Sequence, residues 1–206
     1  MIAKCFVKRS QVIMLSLLVT VSLASQAGVD VGQPAPDFTA NNSDGKTLNL
    51  SQYRGKTVVL EWTNHECPYV EKHYNSGNMQ ALQKDATANG VIWLSIISSR
   101  SGKQGHVSGS RANELTASRN AAPTAVILDE TSEIGLMYGA KTTPHMYIID
   151  KAGQLVYMGG IDNIPSKNES DIPRAKNYVR AALDAIAASK PISDSITRPY
   201  GCSVKY

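Results

Sequence analysis

A cysteine followed by a proline, Cys67-Pro68, comes shortly after the apolar run that ends at Trp62. Proline is favoured at the first position of a helix, because its φ is already helical and no N–H is needed there. Cys67 would then be the N-cap residue, where unpaired backbone N–H groups and the helix dipole stabilise a thiolate. A thiolate attacks disulfides and peroxides, whereas a free cysteine keeps a pKa of about 8.5. The pattern predicts a redox nucleophile at Cys67, and the alternative is a buried, inert thiol.

Three histidines, His65, His73 and His145, are candidates to act beside Cys67. Protonated imidazoles would favour the thiolate, and acidic neighbours would oppose it. The simpler interpretation of each histidine is a surface or hydrogen-bonding residue. A further alternative is a copper or zinc site formed by Cys67 with these histidines, since thiolate and imidazole suit such metals. The second cysteine that such sites normally use is missing, so we expect no bound metal.

The second cysteine of the expected mature chain is Cys202, because Cys5, the third in the sequence, lies in the first 27 residues. Cys202 can be interpreted in three ways. It can resolve an oxidised Cys67, form a permanent disulfide with it, or remain an unpaired thiol. A permanent disulfide closing about 135 residues would stabilise the fold by about 4–5 kcal/mol in the chain-entropy model. The protein would then be a disulfide-stapled interaction domain without catalysis.

Residues 1–27 have the pattern of a cleavable export signal. A nearly uninterrupted apolar run over 12–24 follows a short basic segment, and small residues precede the position after Ala27. The basic residues are Lys4, Lys8 and Arg9. We expect cleavage after Ala27 and a periplasmic or secreted protein. A membrane anchor is the alternative, but the apolar run is shorter than the about 20 residues that span a bilayer.

The rest of the chain, residues 28–206, is nearly neutral. The full sequence has 21 Lys and Arg against 17 Asp and Glu, and removing the three basic residues of the signal leaves 18 against 17. No basic stripe interleaved with aromatic residues is present, which argues against nucleic-acid binding. No glycine-rich phosphate loop occurs either, so we expect no nucleotide or other cofactor, and no membrane span in the mature chain.

The elements expected to position Cys67 alternate between strands and helices. Apolar runs at 57–62, 91–97 and 124–129 predict buried strands, and segments at 68–88, 111–120 and 131–138 predict helices. A hairpin over 145–162 and an Ala-rich amphipathic helix over 175–189 follow. This order indicates a single α/β sandwich with an antiparallel hairpin at one side. Residues 190–206 are expected to form an extended tail that ends near Cys202.

This arrangement resembles the thioredoxin-like superfamily, in its redoxin branch of peroxiredoxin-like (AhpC/TSA-type) and thiol-disulfide-oxidoreductase-like proteins. The resemblance rests on "VVLEWTNHECPYV", on "YGAKTTPHMYIIDKAGQLVYMGG" and on the order of elements from about residue 31 onwards. It implies a three-layer sandwich with a central mixed sheet, a C-terminal β-hairpin and a terminal helix. It also implies that Pro144 is cis and that the Thr143-Pro144 pair lies against Cys67.

The chain departs from its relatives at three positions. Thioredoxins have a second cysteine where this sequence has Val70, so a local dithiol is impossible. Peroxiredoxins have a Thr or Ser and a Pro where this sequence has Asn64 and Leu60, which weakens the case for peroxide reduction. We expect an exported thiol oxidoreductase with a catalytic site of Cys67, Cys202, Thr143 and Pro144, acting on a protein disulfide or thiol or on a peroxide. The alternative is a non-catalytic module that binds metal or a partner.

Overall fold

The computed structural model describes residues 1–2 and 28–206. The predicted export signal therefore falls almost wholly on residues outside the described ones. Over the described part of the chain, none of the helices combines the length and the apolar character needed to cross a bilayer.

A mixed sheet of five strands forms the centre of the molecule, in the order β5-β4-β3-β7-β8. The strands of this sheet are β3 (Val58–Trp62), β4 (Ile92–Ile97), β5 (Ala125–Leu128), β7 (His145–Ile149) and β8 (Leu155–Gly159). β3, β4 and β5 run parallel, whereas β7 is antiparallel to β3 and β8 is antiparallel to β7. The predicted mixed sheet with its closing hairpin is confirmed.

The central strand β3 is buried along its whole length, as its run of β-branched and aromatic residues predicts. Trp62 pairs with Ile96 on one side and with His145 on the other. The chain leaves the sheet just after Trp62 and enters the helix that starts at Pro68. The fold thus delivers Cys67 to the carboxyl end of the central strand.

Helices cover both faces of the sheet and complete the three-layer sandwich. They are α1 (Pro68–Asn75), α2 (Asn78–Ala88), α3 (Gly109–Ser118), α4 (Glu133–Tyr138) and α5 (Tyr178–Ala187). One apolar core unites α1, α2 and α5 with one face, and a second unites α4 and the N-terminal hairpin with the other. The N-terminal hairpin consists of β1 (Thr39–Asn41) and β2 (Thr47–Asn49).

The C-terminal segment is the main departure from the predicted elements. We expected an extended tail, but β9 (Cys202–Ser203) pairs with β6 (Thr142–Thr143) in a separate two-stranded ladder. The tail is therefore docked beside the Thr143-Pro144 pair rather than projecting from the domain. Local periodicity carries no signal for this pairing, because each strand has only two residues.

Candidate functional site

Cys67 is the N-cap residue of α1, and Pro68 is its first helical residue, as the sequence predicts. The backbone of Cys67 is extended, and its N–H donates to the carbonyl of Asn64 at 3.1 Å. The side chain of Cys67 is fully buried, with 0% of its surface exposed. The turn from β3 into α1 therefore aims the thiol into the protein.

The loop before Cys67 is held by a neighbouring loop that follows β4. Glu66 accepts a hydrogen bond from the backbone N–H of Gly105 at 2.7 Å, and the side chain of Asn64 accepts one from Glu66 N–H at 2.9 Å. A side chain at Gly105 would collide with Asn64, whose Oδ1 would lie 2.3 Å from the added Cβ. The polar side chains of Asn64 and Glu66 thus shape the loop and are bonded to backbone, not to the Cys67 sulfur.

The peptide bond between Thr143 and Pro144 is cis, in agreement with the resemblance. The thiol of Cys67 donates to the carbonyl of Thr143 at 3.1 Å, across 76 residues of sequence. The structure therefore brings three of the four predicted site residues, Cys67, Thr143 and Pro144, to one place.

Cys202 is the fourth, and it lies against the same thiol. Its backbone N–H points at the Cys67 sulfur, with an N–S distance of 3.4 Å. Cys202 is half-buried, and in the described part of the chain it and Cys67 are both free thiols. The pairing of β9 with β6 sets this position, since Cys202 is the register partner of Thr143.

The two thiols have opposite tendencies to ionise. Burial acts to raise the pKa of Cys67, but hydrogen bonds from the Cys202 thiol, the Thr143 side chain and backbone N–H groups outweigh it and lower that pKa below its ordinary value. Burial, and then the adjacent Cys67 sulfur, raise the pKa of Cys202 to about 11. If one sulfur ionises, it is Cys67, and Cys202 is the proton-bearing donor beside it.

Two of the three candidate histidines do not supply positive charge near Cys67. Burial lowers the pKa of His73 to about 4 and that of His145 to about 3, so both imidazoles are neutral near pH 7. His145 accepts a hydrogen bond at Nδ1 from the Lys141 N–H, and the Tyr147 hydroxyl lies 3.1 Å from the same nitrogen. Burial also lowers the pKa of His65. A sequence cannot reveal this, because the loss of charge follows from burial.

The metal-binding alternative requires several ligands around one point. Among residues 28–206, no three His, Cys, Asp or Glu side chains come together as a metal-ligand group.

A buried carboxylate beneath the site was not singled out from the sequence. Glu61 in β3 is fully buried and accepts hydrogen bonds from four side chains. The donors and their distances are Trp93 Nε1 at 2.7 Å, the Tyr74 hydroxyl at 2.8 Å, the Ser95 hydroxyl at 2.9 Å and Gln83 Nε2 at 3.1 Å. Burial raises the pKa of Glu61 despite these bonds. The signal was a single acidic residue within the apolar run of β3.

A cleft of about 470 Å³ opens beside the docked tail. Its lining includes Thr142, Asp162, Tyr178, Arg198 and Tyr200. Gly201, next to Cys202, also borders the cleft. A reacting molecule thus has space on the side of the tail, whereas the Cys67 sulfur itself is covered.

Comparison with known proteins agrees with this geometry. A thiol-disulfide oxidoreductase ResA from Geobacillus thermodenitrificans is 25% identical over 137 residues, which is 63% of this chain and 69% of that protein. Peroxiredoxin Q from Populus jackii is 53% identical over a short stretch of 34 residues, 16% of each chain. The crystal structure of an uncharacterized conserved protein from Geobacillus kaustophilus superposes with a TM-score of 0.72 and 26% identity, covering 86% of this chain and 92% of that one.

The family model of the AhpC/TSA family matches residues 31–158, which contain β3, Cys67 and the Thr143-Pro144 pair. This span is more than half of the chain, and the mixed sheet with its C-terminal hairpin and the cis proline are those that the resemblance implied. The chain belongs to the AhpC/TSA family, within the thioredoxin-like redoxin superfamily.

Proposed function

We propose that this protein is an exported thiol-disulfide oxidoreductase in which Cys67 is the redox nucleophile and Cys202 resolves it. The observation that carries the proposal is the contact of Cys202 with the Cys67 sulfur, 3.4 Å from the Cys202 nitrogen. Two thiols held this close, one with a lowered pKa and one with a raised pKa, are suited to exchange one disulfide.

The reaction proceeds in two exchanges. Displacement of the docked tail first uncovers the Cys67 sulfur. The Cys67 thiolate then attacks one sulfur of a partner disulfide, forming a mixed disulfide and releasing the partner's other sulfur as a thiolate. Cys202 then loses its proton and attacks the Cys67 sulfur, which releases the partner's second thiolate and leaves a Cys67–Cys202 disulfide. The partner disulfide is reduced to two thiols, and this protein is oxidised by two electrons. The reverse sequence oxidises a partner dithiol.

A protein disulfide or dithiol is favoured over a peroxide as the substrate. Peroxide reduction needs donors around the attacking sulfur that hold the peroxide, and the resemblance expects a Thr or Ser at the position of Asn64. Here the Asn64 side chain bonds to the Glu66 N–H and to the Gln104 carbonyl. The amide is therefore occupied within its own loop. The match to a thiol-disulfide oxidoreductase over 63% of the chain supports the same choice.

Export places this chemistry in an oxidising compartment. We propose that residues 1–27 are removed after Ala27 and that residues 28–206 act as one redoxin domain in the periplasm or outside the cell. Sequencing the N-terminus of the protein from the extracytoplasmic fraction tests this, with Gly28 expected as the first residue. An intact Met1 in that fraction, or retention in the cytoplasm, would contradict it.

The reaction is tested by trapping. Purified Cys202→Ser is mixed with a disulfide-containing peptide and analysed by mass spectrometry, and a mixed disulfide at Cys67 is expected to accumulate. The wild type is expected to form the intramolecular disulfide instead and to release two peptide thiols. Cys67→Ser is the matched control and should consume no peptide disulfide. A parallel reaction with hydrogen peroxide asks whether a sulfenic acid forms on Cys67 at a comparable rate.

Three outcomes would contradict the proposed function. If the wild-type disulfide is present on isolation and resists reductants at potentials down to about −300 mV, it behaves as a structural disulfide. If Cys202→Ser forms no mixed disulfide while the protein remains folded, Cys67 is not the nucleophile. If peroxide oxidises Cys67 much faster than the peptide disulfide does, the reaction is peroxide reduction and not disulfide exchange.

A further inference from the structure

The docked tail is anchored two residues before Cys202 by a tyrosine. The hydroxyl of Tyr200 donates to Oδ1 of Asp162 at 2.5 Å and lies 3.2 Å from Nε2 of His73. The Tyr200 ring also packs edge-on against Tyr69, with 5.9 Å between ring centroids. Burial, and then the bond to Asp162, raise the pKa of Tyr200, so the hydroxyl keeps its proton and remains a donor.

The acceptor of this bond is held rigidly inside the protein. Asp162 is 2% exposed, and its Oδ1 also accepts the N–H of Ile164 at 2.9 Å. Its Oδ2 lies 3.6 Å from Nζ of Lys72 and accepts no hydrogen bond from the described residues. A buried carboxylate is costly to leave without donors. The hydrogen bond from the Tyr200 hydroxyl therefore offsets part of the cost of burying the Asp162 carboxylate.

The same cluster belongs to the helix that starts at the reactive thiol. Lys72 and His73 are in α1, whose N-cap is Cys67, and both are fully buried. Asp162 thus connects α1 on one side with the tail on the other.

Gly201, the residue between Tyr200 and Cys202, packs too closely against its neighbours to accept a side chain. Gly201 has a φ of +143°, and a Cβ built there would lie 2.0 Å from the Thr143 carbonyl oxygen. The tail backbone therefore passes as close to the Thr143-Pro144 segment as a residue without a side chain allows. A displacement at Tyr200 is transmitted along this short segment to Cys202.

We propose that Tyr200 is a positioning residue for the redox pair: through its hydrogen bond to Asp162 it holds the Cys202 N–H and thiol against the Cys67 sulfur. Tyr200 touches neither sulfur, so its effect is exerted through the placement of Cys202. This inference rests on the proposed function for the role of Tyr200 in disulfide exchange. The placement of Cys202 can be measured in the reduced protein whether or not the protein exchanges disulfides.

Removing the hydroxyl frees the tail while keeping the aromatic packing. In Tyr200→Phe the ring against Tyr69 remains, but the bond to Asp162 is gone. The time-averaged contact of Cys202 with Cys67 then weakens, and the hydrogen bonds that favour the Cys67 thiolate weaken with it. We expect the apparent pKa of Cys67 to rise by about one unit, a tenfold change in proton affinity. The rate at which the pair closes to a disulfide should fall severalfold.

The test uses the reduced full-length mature protein, and thiolate ultraviolet absorbance is followed against pH. Tyr206→Phe is the matched control, because Tyr206 is in the same tail and also donates a hydrogen bond, to the Ala140 carbonyl at 2.6 Å. Tyr206→Phe is expected to leave the pKa of Cys67 unchanged. Asp162→Asn and the double variant, Tyr200→Phe with Asp162→Asn, complete a double-mutant cycle. The pKa of Cys67 should shift no further in the double variant than in Tyr200→Phe alone. All titrations are made well below the melting temperature of each variant.

Tyr200→Phe with an unchanged Cys67 titration, or a shift equal to that of Tyr206→Phe, would overturn the positioning role. Additive shifts in the cycle would also overturn it, since Tyr200 would then act independently of Asp162. A wild type that exchanges no disulfides contradicts the proposed function but leaves this titration readable. The two proposals therefore fail separately.

Discussion

The backbone N–H of Cys202 points at the sulfur of Cys67 from 3.4 Å, although 135 residues of sequence separate the two cysteines. In the proposed mechanism this contact has two roles. It offers a hydrogen bond to the Cys67 thiolate, and it keeps the resolving thiol within reach. Cys67 is fully buried in this arrangement.

The two thiols should titrate far apart in the reduced protein. Hydrogen bonds from Cys202 and Thr143 lower the pKa of Cys67 against the effect of burial, whereas burial raises the pKa of Cys202 to about 11. Thiolate absorbance should therefore show a first step below the ordinary range of cysteine. That step should vanish in Cys67→Ser and persist in Cys202→Ser. If it persists in Cys67→Ser, the assignment of the nucleophile is wrong.

Gly201→Ala should slow formation of the Cys67–Cys202 disulfide by about tenfold or more, because its Cβ would overlap the Thr143 carbonyl oxygen at 2.0 Å and push β9 away. Gly55→Ala is the control, since Gly55 also has a positive φ, +84°, but has no atom within 4 Å of the added Cβ among the described residues. Stopped-flow oxidation of the two reduced variants measures the difference. Equal rates would mean that β9 does not set the distance between the thiols.

Glu61→Ala should destabilise the fold far more than Glu61→Gln. Alanine leaves four buried donors without an acceptor, at about 1–3 kcal/mol each, so we expect a loss of about 4 kcal/mol or more in unfolding free energy. Glutamine keeps one acceptor oxygen for three of the donors and can donate to the Tyr74 hydroxyl, so a loss of about 1 kcal/mol is expected. Urea denaturation at pH 7 measures both. Similar losses would show that the donors are satisfied in another way.

Replacing His145 should make the unfolding free energy depend less steeply on pH in acidic solution. Burial lowers its folded pKa to about 3 from an unfolded value of 6.5, so between these values the unfolded chain binds more protons and stability is lost as pH falls. In this interval His145 contributes about 1.4 kcal/mol per pH unit to the slope of the unfolding free energy against pH. His73 adds to it down to about pH 4.

His145→Asn keeps an acceptor for the Lys141 N–H and removes the titration. The unfolding free energy of this variant between pH 6 and pH 4 should therefore fall less steeply than that of the wild type by about 2–3 kcal/mol over the interval. Glu61 acts in the opposite sense, since its raised pKa favours the folded state at low pH, but it is common to both proteins. An unchanged slope would mean that His145 is already protonated in the folded state.

Residue types and near neighbours along the chain are sufficient to predict the local geometry of the proposed redox site. The strand that ends at Trp62, the N-cap at Cys67 and the first helical residue Pro68 follow from residue types and neighbours within one or two turns. The cis state of Pro144 followed from the resemblance. These features are local, and so a pattern of adjacent residues predicts them.

The surroundings of the Cys67 sulfur depend on tertiary packing. The pairing of β9 with β6, the anchoring of Tyr200 to Asp162 and the four donors around Glu61 join residues that are far apart in sequence. No periodicity marks such contacts, because they exist only after the sheet and helices have packed. Burial then changes the chemistry itself: it makes His145 neutral, opposes ionisation of Cys202 and leaves Cys67 as the sulfur on which the available hydrogen bonds converge.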